Sequence, residues 1–192
     1  MGIVVELMAE QLPMTEWDIF PFEGDLRVKT LLDPVLPEPA RSGEPGGDPC
    51  ASCRRPDEHH LWADQDWRVV ASPEPTAVPF VLLETRRHHD VDDLPPGLLG
   101  QLGPMIQRID SAFMGTGQFG RVHFSRWGDG GSHFHLWFYG RPVGALQLLG
   151  TFLPVWNGVL PPMELAAWAN VLGRIGAALE AGGGRQHVFR PS

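Results

Sequence analysis

Two short segments of the chain carry side chains whose types and spacing could do chemistry. In SHFHLWFY (132–139) successive residues of an extended strand point to opposite faces. His133, His135, Trp137 and Tyr139 therefore share one face, and Phe134, Leu136 and Phe138 share the other. The apolar set reads as a core face. The polar set holds two imidazoles about 6.5–7 Å apart along the strand, too far for a mutual hydrogen bond but suited to two roles in one pocket. An idle pair on a solvated strand is the plainer reading. The second segment is CASC (50–53). A C-x-x-C pair suggests either a metal knuckle or a redox couple. The redox reading wants the pair to lead into a helix of a βαβ unit. Here it follows GGDP and precedes RRPDEHH, which favours metal. Two cysteines are half of a tetrahedral zinc site, so two of the eight histidines must complete it. His59 or His60 would close a local knuckle, whereas His88 or His89 could join His133 across a sheet.

The elements that must position these residues follow from periodicity. WRVVA (67–71) and VPFVLLE (78–84) are β-branched and apolar, separated by the turn-like SPEPT (72–76). DDLPP (92–96) stops the sheet and opens a helix, with Asp93 as the expected N-cap and Pro95 and Pro96 in the first turn. Leu98, Leu102, Met105 with Ile106, Ile109 and Phe113 then recur at steps of three and four, the buried face of that helix. RVHFSR (121–126) and SHFHLWFY (132–139) read as a hairpin joined by the glycine-rich WGDGG (127–131). A second helical period runs through Leu165, Trp168, Leu172, Ile175 and Leu179 and stops at AGGG (181–184). The fold class is α+β on a mainly antiparallel sheet. Residues 1–49 carry seven prolines yet keep Trp17, Phe20, Phe22 and Leu26, which predicts an extended arm packed along the domain with a loose hinge at 41–49. Residues 50–142 form the expected domain and 143–192 a C-terminal extension with a helix. The apolar stretch 143–156 could cover the sheet or pair with a second subunit.

Composition narrows the partners. A chain of 192 residues with 43% hydrophobic content has enough apolar surface for one sizeable core. The net charge is −8, and of fifteen basic side chains only Lys29 is a lysine. That balance argues against a nucleic-acid polymer or an anionic membrane as partner and leaves room for a small anionic substrate. Two cysteines cannot build a secreted disulfide framework, and no apolar run reaches membrane-spanning length. The opening MGIVVELMAE has no basic region of the secretory kind, so the expected location is the cytoplasm. Trp127, Trp156 and Trp168 could stack a base, although aromatic residues are more often core.

The order C-x-x-C, strand, TRRHHDVDDLP, helix, RVHFSRWGDGG and SHFHLWFYGRP resembles the histidine-triad (HIT) superfamily over roughly residues 50–142. It is most similar to the zinc-containing branch, which includes galactose-1-phosphate uridylyltransferase and some bacterial dinucleoside polyphosphate phosphorylases and hydrolases. It also looks like a group of actinobacterial HIT-like proteins, a likeness extending through both arms. Within that resemblance Cys50, Cys53, His88 and His133 match the zinc ligands, His88 being preferred to His89 because it directly follows the R-R pair. With four protein ligands the zinc is structural.

The resemblance makes His135 the nucleophile that attacks an α-phosphorus and becomes a nucleotidyl-histidine, with the His133 carbonyl holding its tautomer. It implies that the backbone N–H groups of Gly130 and Gly131 and the hydroxyl of Ser132 face the phosphate. Ser125 stands where relatives often have an asparagine, and Arg126 and Arg141 are the candidate substitutes for a phosphate-binding lysine. The third triad position is Trp137, whose indole can donate one hydrogen bond but has no proton to give a leaving group. Family members often form dimers. The activity implied is a histidine-dependent nucleotidyl hydrolase or transferase acting on a small nucleotide or phosphorylated metabolite. The alternatives are a non-catalytic HIT-like nucleotide-binding module and a HIT-like enzyme recruited to small-molecule biosynthesis.

Overall fold

A computed structural model describes residues 13–187 of the chain. After a 3-10 turn at Pro13–Glu16, the regular elements are α1 (Ala51–Arg54), β1 (Trp62–Ala63), β2 (Trp67–Ala71), β3 (Phe80–Thr85) and α2 (Pro96–Met114). There follow β4 (Phe119–Ser125), β5 (His135–Pro142), α3 (Leu153–Val159), α4 (Leu165–Ala181) and β6 (Arg185–Gln186). The six strands form one sheet in the order β4-β5-β3-β2-β1-β6, every neighbouring pair antiparallel. The protein is thus α+β, with helices on an antiparallel sheet. Among the described residues no helix is long and apolar enough to cross a membrane.

Strand alternation divides the sheet into a core face and a site face. Val69, Val81, Leu83, Leu136 and Phe138 face α2 and α4, where they meet Met105, Ile109, Phe113, Trp168, Leu172 and Ile175 in one buried cluster. The C-terminal helix therefore belongs to the same core as the segments before residue 142. Its last turn is tied down by Trp62, which donates from Nε1 to the Gly183 carbonyl at 2.9 Å beneath the Arg108 guanidinium. On the opposite face, register sets Glu84 beside His135, Leu82 beside Trp137, and Phe80 beside Tyr139, with Ser125 and His123 next to Trp137 and Tyr139 on the other side. That face is covered at its two ends. At one end the α1 segment sits on Arg68 and Glu84: the Arg68 guanidinium donates to the Ser52 carbonyl and Ser52 Oγ donates to Glu84 Oε1. At the other end Leu148 and Leu153 bury against Val78 and Tyr139, so the apolar stretch 143–156 does cover the sheet, by way of a 3-10 turn and α3. His135 and Trp137 lie between the two covers.

Several expectations need correcting. Among the described residues the arm is anchored around Trp17–Phe20 and again at Arg41 and Ser42. Phe20 packs edge-on against Phe152 and the Ile19 carbonyl accepts from Trp156 Nε1, but Leu31 and Leu32 between those anchors are 92% and 86% exposed. The 41–49 segment is no loose hinge, because Arg41 and Ser42 are bonded into the glycine-rich loop. Strand β5 begins at His135 rather than Ser132, since the Phe134 N–H is drawn out of the ladder to the His89 carbonyl. Asp93 does not cap α2; its carboxylate accepts from the Asp90 N–H, and Pro95 is the N-cap. His60 closes no local knuckle but is fully buried, with Nδ1 2.9 Å from the Pro56 carbonyl oxygen and Nε2 without a partner among the described residues.

Burial, reinforced by the nearby Arg68, pushes the His60 imidazole down to about 4. Its unfolded value is about 6.5, so between those limits the unfolded chain binds the additional proton. Stability from this group is present above pH 6.5 and is lost as pH falls through 4, a change on the order of 3 kcal/mol. Urea unfolding of wild type at pH 7 and pH 4.5 should show that loss, and His60→Leu should have a visibly flatter dependence. An equal slope in the variant would assign the acid sensitivity elsewhere.

Candidate functional site

Four residues from three separate segments of the chain converge beside His135. The potential ligand atoms of Cys50, Cys53, His88 and His133 all lie within 4.8 Å of one another. Cys50 arrives as the N-cap of α1, its Sγ accepting from the Cys53 N–H, so one helical turn sets both sulfurs on the same side. His133 Nδ1 is 3.4 Å from Cys50 Sγ and 3.5 Å from Cys53 Sγ, and His88 Nδ1 is 3.4 Å from Cys53 Sγ. Bond lengths of about 2.3 Å to sulfur and 2.05 Å to nitrogen at a tetrahedral angle give a sulfur–nitrogen separation of about 3.6 Å. The donor set and its spacing therefore fit a four-coordinate zinc.

The groups around the cluster aim both imidazoles inward. His133 Nε2–H donates to the Thr85 carbonyl at 2.7 Å, which leaves Nδ1 as a lone pair toward the thiols. His88 Nε2 lies 3.3 Å from Ser132 Oγ, whose hydroxyl donates in turn to the Ser42 carbonyl. Such outer contacts select the tautomer of a ligating histidine. Burial holds the His133 imidazole below its ordinary range, and burial together with Cys50 pushes the Cys53 thiol up to about 11. A bound cation would reverse the thiol's preference, because a coordinating sulfur is deprotonated outright. Gly43 closes the outside of the cluster with φ +94°; a Cβ there would stand 2.7 Å from both the His88 ring and Ser132 Oγ. His89 is not part of the cluster. Its Nδ1 is 3.6 Å from Asp93 and its carbonyl holds Phe134.

His135 stands immediately beyond the cluster. Its Nδ1 is 2.8 Å from the His133 carbonyl oxygen, and its Nε2 is 2.8 Å from the Trp127 carbonyl oxygen. A neutral imidazole has a single N–H, so it serves one of the two carbonyls at a time. A cavity of about 200 Å³ opens beside this ring, lined among others by Ser42, Ser52, Leu82, Glu84, Gly130 and Gly131. The N–H groups of Gly130 and Gly131 have no partner among the described residues, while the Gly130 carbonyl accepts from Ser42. They are free to meet an anion.

The remaining expected site residues are placed differently from one another. Ser125 is directly opposite Trp137 on the neighbouring strand. Trp137 stacks on Tyr139 with ring centroids 5.9 Å apart, and its buried Nε1 has no partner among the described residues. Ser132 has its hydroxyl committed to Ser42 and His88 rather than to the cavity. Arg126 pairs with Asp90, as does Arg41 of the arm, which also donates to the Gly128 carbonyl at 2.9 Å. These two guanidiniums brace the loop from outside. Arg141 is six residues beyond His135 on β5, about 20 Å along the strand, so it does not reach the cavity. Of the three tryptophans read as stacking candidates, Trp168 is core and Trp156 bonds the arm; Trp127 is 40% exposed.

Sequence reasoning missed Ser42, Ser52, Thr85 and Glu84. Alternation in VPFVLLE does put Glu84 on the face of Phe80 and Leu82, a signal for a carboxylate on the site face. That carboxylate is buried and paired with Arg55 at 3.2 Å.

A scan against protein-family models finds no match, and neither does a search of the curated proteins. Among solved structures the chain is similar to a histidine triad protein from Bradyrhizobium japonicum, at 19% identity and TM-score 0.51, covering 62% of this chain and 89% of that one. It is also similar to a histidine triad protein from Marinobacter aquaeolei VT8, at 21% identity and TM-score 0.50, covering 64% and 89%. The chain has the fold of the histidine triad proteins, with a Cys2His2 cluster able to hold a metal ion.

If the contact to Ser132 sets the His88 tautomer, Ser132→Ala should weaken zinc by about 10–100-fold while all four ligands remain. Competition with a chelator, followed by metal analysis, measures this. Wild-type affinity in the variant would remove Ser132 from the metal site.

Proposed function

We propose that this chain is a zinc-containing histidine-triad protein that transfers a nucleotidyl or related phosphoryl group through His135. The contact that carries the reading is the 2.8 Å approach of His135 Nδ1 to the His133 carbonyl oxygen. If that nitrogen bears the proton, Nε2 keeps its lone pair, and once the Trp127 carbonyl oxygen moves aside that pair can meet a phosphorus in the cavity beside the Gly130 and Gly131 N–H groups. Cys50, Cys53, His88 and His133 would hold the metal. When bound, zinc supplies a cross-link between three chain segments and offers no open position for water.

The chemistry of the protein's own residues follows in two displacements. His135 Nε2 donates its lone pair to the phosphorus, and the bond from phosphorus to the leaving oxygen breaks with the electron pair going to that oxygen. An acceptor hydroxyl or water then attacks the phosphorus and gives up its proton to the surrounding water, and the electron pair of the phosphorus–nitrogen bond returns to Nε2. The N–H groups of Gly130 and Gly131 would hold the phosphoryl oxygens. Trp137 cannot protonate a leaving oxygen. Substrates whose leaving group is already a stable anion, such as phosphoanhydrides, are therefore favoured over esters of poor leaving groups. The small-molecule nucleotide and the cytoplasmic location belong to this same reading.

A second reading is a binding module without turnover. It is favoured by the Trp127 carbonyl oxygen at 2.8 Å from Nε2, which must move before Nε2 can attack. Incubation with α-labelled nucleotides and dinucleoside polyphosphates separates the two. An acid-labile label on His135 that is discharged by an acceptor supports transfer; tight binding without label supports the module. His135→Ala should keep its zinc and its fold and lose the label. Trp137→His should raise hydrolysis toward the ~10²-fold that a positioned acid can contribute. Unchanged turnover in His135→Ala at full zinc content would end the nucleophile reading.

A further inference from the structure

Farther along the same sheet face lies a cavity of about 370 Å³ that the phosphoryl chemistry leaves unused. Its walls include His123, Ser125, Trp127, Tyr139, Thr151 and Pro154. It begins next to the nucleophile. The Trp127 carbonyl sits on His135 Nε2, and the Trp137 ring lies against His135, Trp127 and Tyr139 at centroid distances of 6.3, 5.9 and 5.9 Å. From His135 to Tyr139 is four residues of strand, about 13 Å, enough for a phosphoryl group and a short connection.

The walls specify what would fit. Among the described residues, no lysine, arginine, aspartate or glutamate lines the cavity. Burial, with Arg141 behind it, keeps the His123 imidazole below its ordinary range, and burial pushes the Tyr139 phenol up to about 12. Both side chains are therefore neutral near pH 7. The aromatic walls favour a flat ring over a flexible chain. Three lining residues, Ser125, Tyr139 and Thr151, carry hydroxyls. Just behind the wall, His123 Nε2 and the Nε1 of the adjoining Trp137 are buried with no partner among the described residues, and since buried polar atoms are nearly always bonded they add an unmet polar demand to this end of the face. The volume is near the lower end of ordinary ligand pockets, which suits one or two fused rings.

We propose that this cavity is a second subsite that takes an uncharged heteroaromatic ring with hydrogen-bonding atoms at its edge, borne by the group that His135 displaces. The last clause rests on the nucleophile reading; the ring's fit to the cavity does not. The test is titration of wild type with free adenine, uracil and nicotinamide by calorimetry, repeated in Thr151→Trp, His123→Phe and His135→Ala. At least one base should bind saturably. Thr151→Trp and His123→Phe, which take up space in the cavity, should weaken it about two- to tenfold, the worth of one lost aromatic contact. His135→Ala should bind as wild type does. Absence of saturable binding by all three bases overturns the proposal, as does undiminished binding in the cavity-filling variants that retain wild-type circular dichroism and zinc. Should Thr151→Trp not fold, His123→Phe decides. Failure of His135 to label, with this binding intact, would overturn the nucleophile reading and leave the cavity assigned.

Discussion

His133 does two things at once. Its ring reaches out of the sheet to both thiols, at 3.4 and 3.5 Å, while its carbonyl turns back to His135 Nδ1. The backbone can serve both only if the segment before β5 leaves the ladder. It does so because the Phe134 N–H bonds the His89 carbonyl, and Phe134 itself is buried against Trp67. The Thr85 carbonyl then fixes the ring on its far side. The metal cluster and the candidate nucleophile are thus consecutive parts of one constrained stretch of chain.

The rest of the fold supplies the surroundings this stretch needs. Helices α2 and α4 bury the opposite face, so the sheet is rigid beneath the site. The α1 turn and α3 cover the two ends of the site face and leave the middle open. The arm adds a third support: Arg41 and Ser42 hold the glycine-rich loop, and Gly43 seals the cluster. Asp90 gathers both Arg41 and Arg126. The positive charges nearest the loop are therefore spent on bracing it, and an anion in the cavity would have to be met by backbone N–H groups.

Much of this was legible in the sequence because it depends on local pattern. The period of two gave the strand faces, and with them the neighbours of His135. The period of three and four gave α2 and α4 with their buried residues. The C-x-x-C pair and the H-x-H pair stood out by type and spacing. What stayed hidden depends on long-range contacts. Nothing local says that Ser42 pairs with Gly131, that Ser132 turns its hydroxyl to His88, or that His60 is swallowed by the core. Arg141 has the charge to stand in for a phosphate-binding lysine, but six residues of strand carry it to the far end of the sheet. Asp93 has the chemistry of a cap; two following prolines set the helix start later instead.

In the proposed site one metal, held by two sulfurs and two imidazole nitrogens, fixes His133 and leaves His135 out of the coordination sphere. X-ray absorption at the zinc edge on the purified protein tests it most directly. The predicted first shell is two sulfurs and two nitrogens, about 2.3 and 2.05 Å from the metal, and the same in His135→Ala. An oxygen donor, a single sulfur, or a shell that changes when His135 is removed would contradict it.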